Sequence, residues 1–230
     1  MEEFTYPGNE LEDFQEATRW KMYFTSRILK MIGEQEVLLE VGAGIGANST
    51  YLSKHADCYY GVEPDIKLVE MAQKNHPTHR FSVGYLENFT RPANKQICLM
   101  YIDVFEHIQD DLTEMKKIEE FLEPNELLVL IVPAHMILFS TFDRAVGHWR
   151  RYKKADLHSL SGDMFRIIHI EELDFLGFLL SLSSRLLRPN KLPSKTNIRT
   201  WDRLIPLSQL IDFLIQRRLG KTIFCVMQKK

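Results

Sequence analysis

Cysteine is scarce in this chain: three among 230 residues (Cys58, Cys98, Cys225), each inside an apolar stretch and none in a CxxC spacing. No redox or metal-binding pair is therefore expected, and the three read as small buried hydrophobes in a reducing compartment. No run reaches the roughly 18 apolar residues that a membrane helix requires. The stretch from Met1 to Asp13 is acidic and lacks the apolar core of a signal peptide, so the expected location is cytoplasmic. An excess of either charge is missing too: 29 basic and 31 acidic residues leave a formal net charge of −2, without the basic face of a nucleic-acid glove. There is no internal repeat and no low-complexity tract. What remains is ordinary globular composition, 45 % hydrophobic and 26 % charged, with enough length for one substantial domain.

Strand and helix signals alternate along the chain. Residues 11–32 place Phe14, Trp20, Tyr23, Phe24 and Ile28 near helical spacing and stop at Gly33. Short, mostly apolar runs at 36–41, 58–62, 81–83, 97–102, 127–132, 165–173 and 222–227 predict seven strands. Helices are expected at 47–55, with Asn48, Ser49 and Thr50 at its start, and at 66–74, 111–122, 154–161 and 204–215. Residues 188–200 are polar and hold Pro189 and Pro193, which predicts an exposed loop. The alternation is the mark of a Rossmann-like α/β fold, a doubly wound, mostly parallel sheet with helices on both faces.

The most informative stretch is VLLEVGAGIG, residues 37–46. Gly42, Gly44 and Ala47 satisfy GxGxx(G/A) between a strand and a helix, which by itself is a weak mononucleotide signal. Glu63 strengthens it: about 20 residues on, at the end of the next strand, a carboxylate can accept both ribose hydroxyls. Glu40 then separates two ligand classes. In a nicotinamide enzyme a pyrophosphate lies on the turn, and like charges roughly 4 Å apart at an effective dielectric of about 20 cost on the order of 4 kcal/mol. A cofactor carrying an ammonium and a sulfonium would be attracted instead. A Glu40 that merely faces water at a strand end is the plain alternative.

With these residues the chain resembles the class I S-adenosylmethionine-dependent methyltransferases. Residues 40–46, EVGAGIG, are similar to that family's first motif, Glu63 to its ribose-binding acid, and 102–108, IDVFEHI, to its fourth-strand motif. The resemblance runs from about Phe14 to Val226 and implies a seven-stranded sheet whose last strand is antiparallel. It implies S-adenosylmethionine as cofactor, S-adenosylhomocysteine as product, and a cofactor site of Glu40, Gly42, Ala43, Gly44, Glu63, Pro64, Leu86, Asp103 and Val104. One departure is Tyr85, which stands where many relatives carry an Asp for the adenine amino group. Leu86 and a backbone amide are left to hold the ring. The expected organisation is a single domain over 1–230, with 1–33 as a helical cap and 135–153 and 174–202 as acceptor-side insertions.

Asp103, Glu106 and His107 fall at i, i+3 and i+4, on one side of a helical turn if one forms there. They could ligate a divalent ion, as similar residues suggest for some quinone-pathway O-methyltransferases. They could equally be hydrogen-bonded walls of the cofactor pocket, or His107 could serve as a base. The wall role is the one adopted, with no metal assigned.

Residues 139–152, FSTFDRAVGHWRRY, follow the fifth strand and so belong at the carboxyl edge of the sheet. They resemble a bacterial methyltransferase branch with a D-x-x-x-G-H-x-R-R-Y signature, here Asp143, Gly147, His148, Arg150, Arg151 and Tyr152. That branch implies a small-molecule or glycan- or lipid-linked acceptor. Asp103, Asp143 and His148 are the catalytic candidates; His107, Arg150, Arg151 and Tyr152 are the acceptor-side candidates. Two arginines could clamp a carboxylate or phosphate, but neighbours in an extended segment point opposite ways, so at most one should face a pocket. The apolar stretch 175–187 is a core or lid helix, or a peripheral contact with lipid or a second subunit. Trp20 and Tyr23 either close over the cofactor or fill the core.

The function expected is in-line methyl transfer to an oxygen or nitrogen acceptor. The alternatives are a nicotinamide-dependent oxidoreductase, which Glu40 opposes, and a binding module that holds the cofactor without turnover. A nucleic-acid acceptor is disfavoured by the charge balance and by the absence of Asn-Pro-Pro-Tyr, Asp-Pro-Pro-Tyr or Pro-Cys motifs.

Overall fold

Seven strands alternate with helices in a computed structural model of the chain, which describes residues 15–187 and 192–230. Helix α1 (Thr18–Ile32) leads into β1 (Gln35–Val41), α2 (Ser49–Leu52), β2 (Ala56–Glu63), α3 (Ile66–Asn75), β3 (Arg80–Val83) and β4 (Ile97–Ile102). There follow α4 (Asp111–Phe121), β5 (Leu127–Pro133), α5 (Thr141–Ala145), α6 (Lys154–Ser161), β6 (Phe165–Leu173), α7 (Phe175–Leu187), α8 (Lys195–Leu214) and β7 (Thr222–Lys229). The sheet order is β3-β2-β1-β4-β5-β7-β6. β1 pairs in parallel with β2 and β4, and β4 with β5, whereas β7 runs antiparallel to both β5 and β6. The fold is the Rossmann-like one expected, with the antiparallel last strand.

The central strands are apolar on both faces because helices cover both faces. Val37, Leu39, Leu99, Tyr101 and Leu130 pack with Met115, Ile118 and Leu157 on one side. Their neighbours in the strands, Leu38, Cys98, Met100, Val129 and Ile131, pack with Trp20, Phe24, Ile28, Ile198 and Trp201 on the other. After β1 the chain builds outward through β2 and β3, then crosses back to β4. This reversal leaves a crevice outside the carboxyl ends of β1 and β4, the usual ligand position in open α/β sheets.

Two expectations need correction. The helix at 47–55 is one turn, α2, continued by a 3-10 turn at Ser53–His55, and Asn48 does not cap it with its side chain. The loop expected at 188–200 is helical from Lys195, with the Ser194 hydroxyl accepting from the Asn197 amide. That helix forms because Ile198, Trp201 and Ile205 make a buried stripe at helical spacing, which outweighs the polar composition between them. Phe14 with the rest of residues 1–14 of the helical cap, and Arg188 to Lys191 of the 174–202 insertion, lie outside the described residues. Among the described residues no helix is long and apolar enough to cross a membrane. Helices α7 and α8 leave Leu179, Leu180, Leu186, Leu187, Leu210 and Phe213 exposed.

Candidate active site

The crevice opens into a cavity of about 610 Å³ lined by the glycine turn, Glu63 and Pro64, Leu86, Asp103 and Val104, and the segment around His148. Gly42, Gly44 and Gly46 all take positive φ (72°, 53° and 76°), the left-handed region in which glycine has no steric penalty. A Cβ on Gly42 would meet Val104 Cγ2 at 2.4 Å, so the β1 and β4 loops approach as closely as they do only because residue 42 is glycine. The turn is sized to bring backbone against a ligand, and the cavity falls within the range of small-molecule sites.

Glu63 is buried beside this turn. Its Oε2 accepts from the Gly44 amide at 2.9 Å and its Oε1 from the Asp65 amide at 3.1 Å. Burial raises its pKa, against the two amide bonds. Glu40 is placed differently from the sequence expectation. It does not line the cavity but lies beneath the turn, 1 % exposed, with Oε1 accepting from Asn48 Nδ2 at 2.7 Å and Oε2 from the Tyr59 hydroxyl. Burial pushes its pKa up to about 7, opposed by those two bonds, while the charges of Asp103 and Glu63 push the same way as burial. Glu40 therefore acts on the cavity as a brace and through its field. On the adenine side, Leu86 is buried in the wall and Tyr85 is half exposed at its rim, with its amide given to Asn88 Oδ1 at 2.8 Å.

At the far end, β4 closes with Asp103 in a left-handed conformation (φ 53°), its amide donating to Ile131 O. Its carboxylate is open to cavity solvent. Its depth in the fold raises its pKa, against the opposing influence of His148, Lys221, Lys21 and Arg151. A 3-10 turn, Phe105–His107, then presents Glu106 and His107. Glu106 is 1 % exposed, and its Oε2 has no hydrogen-bond partner. Burial, reinforced by the nearby charge of Asp103, holds its pKa well above the usual carboxylate range. Burial and the adjacent His148 push His107 down to about 4.

The segment after β5 folds back over this end. Asp143, fully buried, accepts from the Ser140 amide and hydroxyl on Oδ2, and on Oδ1 from Arg151 Nε at 2.8 Å and His148 Nδ1 at 3.0 Å. Burial alone would raise its pKa, but those bonds hold it well below the carboxylate range. His148 Nε2 lies 3.7 Å from Glu106 Oε1, and its ring meets that of His107 edge-on at 4.6 Å between centroids. Asp103, His107, His148 and Arg151 thus share one end of the cavity, and Asp143 stands directly behind His148. Only one of the two arginines faces it, as alternation requires. Arg151 is committed to Asp143, however, and Arg150 lies outside the cavity, paired with Asp111 at 2.6 Å and bonded to Gln109 O. Tyr152 is also outside, its buried hydroxyl donating towards Phe105 O and Asp111. Arg150, Arg151 and Tyr152, the acceptor-side candidates of this segment, are thus all engaged in holding the loop in place. Trp20 lines the cavity and packs on Trp201, while the Tyr23 hydroxyl bonds Asp212 away from it.

Lys21 and Lys221 are among the cavity residues that escaped the sequence reading. Lys21 sits in the buried stripe Ala17, Lys21, Phe24, Ile28, and burial pushes its pKa down to about 8 against the charges of Asp103 and Asp202. A lysine at i+4 and i−3 of apolar residues was the available signal. Lys221, next to the β7 start, lies 4.1 Å over the Trp201 ring, and no local pattern announces it.

A family profile described as a methyltransferase domain matches residues 15–173. No curated protein matches the sequence. Among solved structures, the chain is similar to a candidate methyltransferase of Haloferax volcanii, solved with the Trm112 methyltransferase activator (12 % identity, 97 % and 96 % of the two chains covered, TM-score 0.65). It is also similar to the N-methyltransferase NodS of Bradyrhizobium japonicum in complex with S-adenosylhomocysteine (10 %, 93 % and 88 %, 0.59). A third is the plantazolicin methyltransferase BpumL, solved with the same product (14 %, 96 % and 87 %, 0.58). At these identities the structures speak for the fold.

Proposed function

The chain belongs to the methyltransferase-domain family, and on that premise we propose that it transfers a methyl group from S-adenosylmethionine to a small-molecule or glycan- or lipid-linked acceptor. The observation that carries this is the glycine turn, with Glu63 clasped beside it, opening onto a cavity whose other end gathers His107, His148 and Asp103. When bound, the cofactor supplies a methyl carbon on a cationic sulfur, open to in-line displacement. Gly42, Ala43, Gly44, Pro64, Leu86 and Val104 would hold it by shape. Glu63 keeps lone pairs for the ribose hydroxyls beyond those given to the Gly44 and Asp65 amides. Glu63 and Asp103, joined by Glu40 once a bound cation favours its ionised form, concentrate negative potential near the turn, which suits a cationic ligand and penalises a pyrophosphate.

On the acceptor side, which we assign to residues 135–153 and 174–202, Asp143 holds the His148 ring by Nδ1. Nε2 is thereby left to handle an acceptor proton. Asp143 is a positioning residue, and Asp103 is the second group able to take a proton. Alignment and exclusion of water supply the rest of the rate. The exposed leucines of α7 and α8 favour the lipid-linked member of the acceptor class through peripheral contact.

Calorimetric titration with S-adenosylhomocysteine, with NADH as comparison, tests the assignment. Saturable binding of the thioether, weakened at least tenfold by Glu63→Ala, is expected. Tight NADH binding with none of the thioether would overturn it.

A further inference from the structure

Two imidazoles and a carboxylate from separate segments converge at the acceptor end of the cavity. Glu106 and His107 come from the turn after β4 and His148 from the loop before α6, and one donor atom from each lies within 4.8 Å of the others. Two independent features mark this as more than a packed wall. Glu106 Oε2 is buried without a hydrogen-bond partner, a costly state for a carboxylate oxygen unless a cation or a donor completes it. Asp143, already accepting from Ser140 twice and from Arg151, can only accept, so His148 Nδ1 must donate to it. The His148 lone pair is then on Nε2, 3.7 Å from Glu106 Oε1. A carboxylate behind a histidine is the arrangement that fixes the tautomer and orientation of metal-binding imidazoles.

We propose that Glu106, His107 and His148 form a binding site for a divalent transition-metal ion of the zinc type, its open coordination position facing the cavity. Asp103, the acid in the sequence-level cluster, is replaced as a ligand by His148. Two imidazoles and one carboxylate suit zinc and its neighbours, not magnesium or calcium. With metal–ligand bonds of about 2.0–2.2 Å, tetrahedral donors lie about 3.3 Å apart. The widest separation here must therefore close by about 1.5 Å, a side-chain rotation in His107 or His148. With the ion bound, His148 Nε2 is a ligand and removal of an acceptor proton falls to Asp103; that role rests on the methyltransferase reading, and the binding site does not.

The test is a zinc titration of the full-length protein after chelator treatment, with cobalt(II) as a spectroscopic substitute. One equivalent of zinc is expected, bound at least tenfold more weakly after either His107→Ala or Glu106→Gln. Intense visible cobalt bands of four- or five-coordinate geometry should appear in the wild type and vanish in the variants. Variants are needed because His76 and His79, stacked at 5.7 Å between ring centroids, are a second imidazole pair. No zinc binding by the wild type, or binding unchanged in both variants, would overturn the site. Should both variants unfold, the wild-type cobalt spectrum decides, and weak octahedral bands would refute it. A parallel titration with S-adenosylhomocysteine separates the two readings: thioether binding without zinc sinks only the metal site, and zinc binding without thioether sinks only the cofactor assignment.

Discussion

Replacing Glu40 by Gln should make the protein more stable at alkaline pH and nearly unchanged at acid pH. Glu40 is buried, with its pKa raised from 4.5 to about 7. An unfolded Glu releases its proton from about pH 4.5, while the native one keeps it until about pH 7. In that window the native state binds more protons, so stability falls as pH rises. The full difference of 2.5 pKa units corresponds to about 3 kcal/mol, of which about 2.5 kcal/mol develops between pH 5 and pH 8. Glutamine keeps the shape and an oxygen acceptor but has no charge to desolvate. It gives up the bonds that the carboxylate accepts from Tyr59 and Asn48, whose effect is already contained in the pKa of about 7. The net expectation is little difference at pH 5 and a gain of about 2.5 kcal/mol at pH 8. Urea unfolding of both proteins from pH 5 to pH 8 measures the difference in slope. Parallel stability profiles would refute the premise that a carboxyl, not a carboxylate, occupies this position in the empty protein.

The same group should report cofactor binding: at pH 7 Glu40 is about half protonated, and a cation in the cavity favours its ionised form, so the amino acid end of S-adenosylhomocysteine should expel a fraction of a proton. Calorimetric enthalpies in phosphate and Tris would then differ by that fraction of the buffers' ionisation enthalpies, and buffer-independent values would contradict it. Gly42→Ala places a Cβ 2.4 Å from Val104 Cγ2 at φ 72°, and is expected to cost about 1–3 kcal/mol of stability and at least tenfold in thioether affinity. Adding Val104→Ala should restore part of the stability but not remove the backbone strain. Asp143→Ala strands Arg151 and His148 in a buried setting, and a loss of about 3–5 kcal/mol in urea unfolding is expected. For Glu171, burial is outweighed by the close His169 imidazole and by the bidentate bonds from Arg27, which pull the pKa down to about 2. Its stabilisation is therefore present above pH 4.5 and lost as pH falls towards 2, and Glu171→Gln should flatten the melting-temperature profile between pH 5 and pH 3.

Local pattern carried the strands far because each central strand is a short apolar run, buried on both faces wherever it sits in the sheet. It carried the glycine turn equally well, since Gly42, Gly44 and Gly46 are required by their own backbone angles. The loop read at residues 188–200 shows the limit. Pro193 and the polar residues argued for coil, yet Ile198, Trp201 and Ile205 find the Trp20 face of α1 and make a helix from Lys195. Periodicity over that segment was too sparse to see without the surface that buries it.

For the site the division runs along chain distance. The sequence alone determined the fold class, the glycine turn and the acid Glu63 beside it, because these rest on glycine conformations, strand-length apolar runs and spacings of about 20 residues or fewer. Which side chains face the cavity was decided only by the tertiary structure. Glu40 went beneath the turn to Tyr59, Arg151 went to Asp143, and Arg150 and Tyr152 went to Asp111. His148 reached Glu106 across an interval that contains all of β5, and Lys21 met Asp103 through the packing of α1 on the sheet. Such pairings depend on burial and low-dielectric contact between distant segments, and neither quantity exists until the chain has closed around them.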